Sequence, residues 1–179
     1  LDVQGLVVDS ATTDGTDFSV LTKGWKLLGI AVDDFNHGDT RNLALQHLPA
    51  NTDVVVFMTQ DALLADVGAM KALVDAFADP QVACAYGRQL PHDDATPIAA
   101  HARLFNYPAT SRVFNLADKA RFGLKACFLS NSFAAYRLTD LQAVGGFPSD
   151  VILGEDMSVA ARLLMAGKLV AYVAEARVQ

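Results

Sequence analysis

The chain has 179 residues, 52% of them hydrophobic, with a mean hydropathy of +0.25, which is enough for one globular domain with a full core. Fourteen Lys and Arg against twenty Asp and Glu give a net charge of −6. That balance argues against a nucleic-acid surface, which would need clustered Lys and Arg, and any phosphate ligand would need a cation or helix N-termini to hold it. The two cysteines, Cys84 and Cys127, sit in apolar runs and read as reduced core residues; no apolar run is long enough to span a bilayer and no signal-peptide pattern is read.

The chain opens on Gly5-Leu6-Val7-Val8-Asp9, a short buried strand, followed by the turn-rich segment from Ser10 to Thr16. Asp14-Gly15 signals a turn, and Thr16 or Asp17 can cap a helix on which Phe18, Leu21, Trp25 and Leu28 fall at helical spacing, with Gly29 closing it. Ile30-Ala31-Val32 reads as a second strand. A polar loop from Asp33 to Asn42, with His37 in it, then leads into an amphipathic helix through about Leu48. Next comes Val54-Val55-Val56-Phe57-Met58, an apolar β-branched run that reads as a central strand buried on both faces. It ends abruptly in Thr59-Gln60-Asp61, so Asp61 is expected where ligands bind in open α/β sheets, at the edge where strands emerge.

A helix is expected from about Asp66 to Ala78, with Val67, Met70, Leu73, Val74 and Phe77 as its apolar stripe. Val82–Tyr86 is the next strand. Strand and helix alternate to this point, the pattern of a doubly wound α/β sheet. Residues 88–125 break the regularity; they read as a long excursion holding one short helix near Ala99–Phe105, of a length that is usually functional. Ala126–Leu129 and Phe133–Tyr136 read as strands flanking Ser130-Asn131-Ser132. A short helix (Thr139–Val144), a tight Gly145-Gly146-Phe147-Pro148 turn, a helix opened by Gly154-Glu155-Asp156 and closed at Gly167, and a last strand Leu169–Val173 complete the chain.

Neither Gly-x-Gly-x-x-Gly nor a Gly-Lys-Ser/Thr loop is present, so the usual glycine-rich phosphate cradles are absent. Three acids at strand or helix ends, Asp9, Asp61 and Asp156, stand in their place. Carboxylates at such an edge suit a magnesium or manganese ion, which in turn binds a diphosphate.

In order along the chain stand Val-Val-Asp-Ser-x-x-Thr-Asp-Gly-Thr from Val7, Asn-x-Gly-x-x-Arg-Asn from Asn36, an apolar strand ending in Thr59-Gln60-Asp61, then Gly-Gly-Phe at Gly145, and Gly-Glu-Asp at Gly154. This ordered set resembles the inverting family 2 glycosyltransferases of GT-A fold and covers nearly the whole chain. Phe57–Ala62, Ala85–Pro91, Arg103–Pro108 and Ser130–Ser132 are similar to the rhamnosyltransferase-type branch. The resemblance implies one GT-A-like α/β domain over residues 1–179, a mixed sheet with helices on both faces. The family's usual first strand and the His that many members carry after the last strand are not in the stretch given, which therefore reads as incomplete at both ends.

By the same resemblance, Asp9 and Ser10 contact the donor nucleotide, Asp9 accepting from the ring imide N–H of the base. Arg41, Asn42, Thr59 and Gln60 line the donor, and Asp61 holds Mg2+ or Mn2+ on the diphosphate. Thr59 stands where the Asp-x-Asp motif has its first acid. Asp156 is implied as the base that deprotonates the acceptor hydroxyl, with Asn131 and Glu155 toward the acceptor. Competing readings are ordinary: Asp9 as a turn former, Glu155 and Asp156 as acids matched to a helix dipole, Arg41 and Asn42 as a solvated helix start, Asn131 as a satisfied core residue. Arg88 pairs with phosphate or with a neighbouring acid, and His47, His92 and His101 read as surface residues.

The implied activity is transfer of a sugar, L-rhamnose from its dTDP donor by branch resemblance, to a saccharide or lipid-linked acceptor in bacterial surface polysaccharide synthesis. The implied location is the cytoplasm, with peripheral association at the inner face of the membrane. Two rivals are a UDP-hexose donor on the same fold, and a degenerate nucleotide-sugar-fold module that binds without transfer.

Overall fold

A computed structural model describes residues 3–13 and 20–179. The chain divides into two compact units, residues 1–50 with 147–155 and residues 51–146 with 156–179.

In the first unit, β1 (Leu6–Asp9) and β2 (Lys26–Gly29) pair in parallel, Leu6 opposite Lys26 and Asp9 opposite Gly29. The helix expected to run to Leu28 ends earlier, because Gly24 adopts φ +71° and turns the chain into β2. Leu28 therefore lies on a strand, and Trp25 packs its indole so closely over Gly5 that a Cβ there would lie 2.1 Å from the ring. The Asp14-Gly15 turn, the Thr16 and Asp17 caps and Phe18 lie outside the described residues. Ile30–Val32 is not a strand; the chain bends into a 3-10 turn at Val32–Asp34 with Val32 exposed.

Helix α1 (His37–Gln46) starts inside what the sequence suggested was loop. Asn36 is the reason: its Oδ1 accepts from Gly38 N at 2.9 Å and Asp39 N at 3.0 Å, an N-cap that starts the helix there. His37, Arg41 and Asn42 are thus helical. Asn42 pairs its side-chain amide with the backbone of Phe147 in both directions, Nδ2 to O at 2.7 Å and Oδ1 from N at 2.9 Å. Pro148 O packs where a Cβ on Gly38 would be.

The second unit is a five-stranded mixed sheet in the order β3-β6-β4-β7-β5: β3 (Val54–Met58), β6 (Phe133–Arg137), β4 (Val82–Gln89), β7 (Leu169–Val178) and β5 (Arg112–Phe114). β4 and β7 are parallel; β6 runs antiparallel to both β3 and β4, and β5 antiparallel to β7. β3 is an outer strand of this sheet rather than a central one, and among its residues only Val55 is buried. Gly87 on β4 has no room for a side chain: a Cβ would meet Phe133 Cδ1 at 2.4 Å and Ala176 O at 2.5 Å.

Helix α2 (Ala69–Asp75), continued by a 3-10 turn at Ala76–Ala78, lays Ala69, Leu73 and Phe77 on the sheet against Val82, Phe133, Ala171 and Val178. Each large apolar side chain so buried contributes about 1.5–3 kcal/mol. Val67, expected on that stripe, is fully exposed, since the helix starts only after it. In residues 88–125 stand α3 (Pro97–Asn106), capped by Thr96, then β5 and α4 (Lys119–Phe122). Ala126–Leu129 is not a strand; it is the end of a 3-10 segment and an extended link that bury Ala126 and Leu129. Helix α5 (Leu138–Ala143) stops at Gly145 and Gly146, both with positive φ. Helix α6 (Glu155–Met165) buries Val159, Ala160, Leu163 and Leu164. No helix among the described residues is long and apolar enough to cross a membrane.

Candidate active site

Within the second unit the site is assembled on the Ser130-Asn131-Ser132 turn that leads into β6. On one side the turn meets the end of β3: Thr59 N donates to Ser132 O at 3.4 Å. Asp61 follows two residues on, with an exposed side chain. Thr59 Oγ1 is buried with no hydrogen-bond partner. On the other side the turn holds the start of α6: Asn131 N donates to Asp156 Oδ2 at 3.2 Å, while Asp156 Oδ1 accepts from Met157 N at 2.7 Å. Both carboxylate oxygens thus receive a backbone N–H, which fixes their orientation.

The turn is itself held from below. Tyr136 OH donates to Asn131 Oδ1 at 2.8 Å, and Gln89 Nε2 donates to Ser130 Oγ at 2.9 Å. Asn131 is 3% exposed and its Nδ2 has no partner. A buried amide donor left unbonded is costly in a finished core and useful where a ligand supplies the acceptor. Tyr107 packs beside the same turn. Burial raises its phenol above the ordinary value, its hydrogen bond with Ser130 and the Arg103 cation pull it back, and the Asp156 charge raises it further. Gln89, Arg103, Tyr107 and Tyr136 were not singled out as site residues from the sequence, although Gln89, Arg103 and Tyr107 stand in the stretches similar to the rhamnosyltransferase-type branch.

Thr59, Asp61, Gln89, His92, Arg103 and Ser132 line a small cleft at this edge. A larger groove of about 370 Å³ lies between α2 and β5–β7, around Ala72, Ala76, Arg112 and Tyr172, and includes none of the expected site residues. Arg88 Nε donates to Tyr107 O at 3.2 Å.

In the first unit, Asp9 closes its own turn, Oδ2 accepting from Thr12 N at 3.0 Å, with Ser10 beside it. Arg41 is ion-paired with Glu155, their side chains 14% and 6% exposed, and the Arg41 guanidinium also lies over the Phe147 ring. Arg41, Asn42 and Glu155 therefore all have partners inside this unit. Gln60 is exposed after β3.

No group of three or more His, Cys, Asp or Glu able to hold a metal occurs among the described residues. An ion of the magnesium type takes only one or two carboxylates from protein and the rest of its oxygens from water and substrate phosphates. Asp61, next to the unbonded Thr59 hydroxyl, fits this share.

Comparison with known proteins finds both sequence relatives and structural neighbours. The chain is 49% identical over 175 residues to the O-antigen chain rhamnosyltransferase RfbN of Salmonella typhimurium, covering 97% of this chain and 55% of that protein. It is 45% identical over 176 residues to the O-antigen chain rhamnosyltransferase WbaN of Salmonella anatum, covering 98% and 56%. The chain thus spans about half the length of these relatives. Among solved structures, it superposes on S. aureus TarS residues 1–349 with TM-score 0.71 at 15% identity, covering 98% of this chain and 50% of that one. It superposes on the mannosyltransferase PcManGT of Pyrobaculum calidifontis, in complex with GDP-Man and Mn2+, with TM-score 0.68 at 24% identity, covering 98% and 46%. These neighbours share the GT-A fold. Residues 54–179, which carry the whole of the five-stranded sheet and both Asp61 and Asp156, match the family described as glycosyl transferase family group 2, and the chain belongs to that family.

Proposed function

We propose that the protein carrying this chain transfers L-rhamnose from dTDP-rhamnose, with inversion, to a saccharide or lipid-linked acceptor in bacterial surface polysaccharide synthesis, working in the cytoplasm. The observation that carries the proposal is the Ser130–Ser132 turn, which is hydrogen-bonded both to Thr59, just before Asp61, and to Asp156. The choice of rhamnose is supported by the two curated relatives at 49% and 45% identity.

Asp156 takes the proton from the acceptor hydroxyl as that oxygen forms its bond to the anomeric carbon. The bond from that carbon to the diphosphate oxygen breaks on the opposite face. A positioned base of this kind is worth roughly 10²–10⁴ in rate. The Asn131 and Met157 N–H groups keep the carboxylate aimed. Asn131 Nδ2 donates to a sugar hydroxyl on the acceptor side. Asp61 is the residue that would hold Mg2+ or Mn2+, and the ion when bound neutralises charge growing on the leaving diphosphate. Thr59 and Gln60 face the donor. Asp9 and Ser10 are assigned to the donor base. Donor roles for Arg41 and Asn42, and an acceptor role for Glu155, have less support, since each is engaged by a neighbour in its own unit.

Competition by nucleotides tests the donor. Thermal stabilisation of the intact protein by dTDP with Mn2+, and not by UDP, is expected. Stabilisation by UDP alone would move the donor to a UDP-hexose, and stabilisation by neither would remove the nucleotide-sugar reading.

A further inference from the structure

Charge is segregated along this chain. Residues 97–125 hold five of the fourteen Lys and Arg (Arg103, Arg112, Lys119, Arg121 and Lys125) but only one of the twenty acids, Asp118. All five cations are exposed. On a protein of net charge −6, this is a local basic surface that the fold concentrates in the second unit.

The same stretch is apolar where a soluble surface would be polar. Helix α3 has ten residues and none is buried. Ile98 is 84% exposed and Phe105 63%, seven residues apart and so on one helical face. Leu124 is 78% exposed. Basic and apolar groups interleave here: Lys125 Nζ lies 3.8 Å from the centroid of the Phe105 ring, and the Arg112 guanidinium 4.5 Å from that of Phe122. A helix that buries nothing derives little stability from packing. An exposed apolar patch rimmed by charge marks an interaction surface.

We infer that the outer face of α3, with residues 112–125, docks on an anionic lipid bilayer. Charge complementarity selects this occupant: Lys and Arg around Ile98, Phe105 and Leu124 are the composition of an interfacial amphipathic surface, with apolar side chains entering the headgroup boundary and cations at the lipid phosphates. Arg103 is the exception, since it also lines the cleft that contains Asp61. The docking surface and the cleft are thus joined through one helix. This inference stands on surface chemistry and is independent of which sugar is transferred.

Co-sedimentation of the intact protein with vesicles tests it, in the absence of any sugar donor. Partition onto phosphatidylglycerol-containing vesicles, little onto pure phosphatidylcholine, and loss in high salt are expected. Each cation near such a surface is worth roughly a fivefold change in partition. The triple charge reversal Arg112→Glu, Arg121→Glu, Lys125→Glu should therefore lower binding on the order of a hundredfold. Ile98→Ser with Phe105→Ser should lower it with the charges intact, and Lys23→Glu with Lys26→Glu should leave it unchanged. Unfolding curves matching the wild type confirm that the variants are folded. Failure of the wild type to bind anionic vesicles, or binding unaffected by the triple reversal, overturns the inference. Protection of Phe105 from labelling in the lipid-free protein also overturns it, by showing the face covered by protein.

Discussion

Tyr136→Phe removes a single oxygen from the centre of the second unit. The ring is fully buried, sits opposite Val55 on β3 and Cys84 on β4, and makes an edge-on contact with Phe57 at 5.9 Å. All of that survives in phenylalanine. What is lost is the O–H donated to Asn131 Oδ1 at 2.8 Å. Asn131 is 3% exposed, so the stripped oxygen cannot turn to water. Leaving such an acceptor unpaired costs about 1–3 kcal/mol, and for a chain of this size each kcal/mol lowers Tm by roughly 2–4 °C. A fall of roughly 2–12 °C is expected by scanning calorimetry. Because the same amide orients the turn that holds Asp156, kcat should fall more than KM rises. Asn131→Ala already breaks the bond, so adding Tyr136→Phe to it should cost little more, a coupling of about 0.5–3 kcal/mol in a double-mutant cycle. An unchanged Tm, or strict additivity, would refute the idea that this bond supports the turn.

Glu155→Gln leaves the Arg41 guanidinium buried without its counter-ion and should destabilise by about 3–5 kcal/mol, whereas replacing both by Met and Leu should cost far less; denaturant midpoints distinguish the two. Gly87→Ala puts a methyl into Phe133 and the Ala176 carbonyl, and should cost about 1–3 kcal/mol by overpacking, read from the same unfolding curves. Burial is the main cause that raises the Tyr86, Tyr107 and Tyr172 phenols above their ordinary value of 10.0. Their neutral forms therefore stabilise the fold below that pH, and the contribution is lost as the pH rises past it. Absorbance at alkaline pH should show these phenols ionising only together with unfolding, and early reversible ionisation of all of them would contradict their burial.

The candidate site could be proposed from sequence because its residues interrupt patterns. Asp61 follows an apolar run too abruptly to be core, and Asp156 stands two residues after a glycine at a helix start. Gly145-Gly146 marks a stop that no L-residue makes easily, and the structure shows both at positive φ. What was not legible depends on partners distant in sequence. β5 is only Arg112–Phe114 and has no periodicity of its own; it is a strand because β7 offers an edge to it. β7 runs past Val173 to Val178 with Glu175 and Arg177 facing out between buried Ala174, Ala176 and Val178, an alternation that reading by hydrophobicity cut short. Ala126–Leu129 has a strand's composition yet buries Ala126 from the end of a 3-10 segment and Leu129 from the extended link after it, where side-chain packing overrides propensity. Likewise the β3 sequence suggested a central strand, whereas β6 inserts between β3 and β4 and leaves β3 outermost in its sheet. Strand order is set by tertiary pairing, and no local pattern encodes it. Tyr136 and Gln89 were given no role for the same reason: they hydrogen-bond a turn reached only through the fold.

The division of labour between the two carboxylates beside that turn is the claim on which the rest depends. Calorimetric titration of the intact protein with dTDP-rhamnose and Mn2+, paired with single-turnover transfer, measures it directly for the wild type, Asp61→Asn and Asp156→Asn. Asp156→Asn should bind donor as the wild type does and lose transfer by about 10²–10⁴-fold, while Asp61→Asn should lose the Mn2+-dependent part of donor binding. Transfer by Asp156→Asn at the wild-type rate would contradict the account.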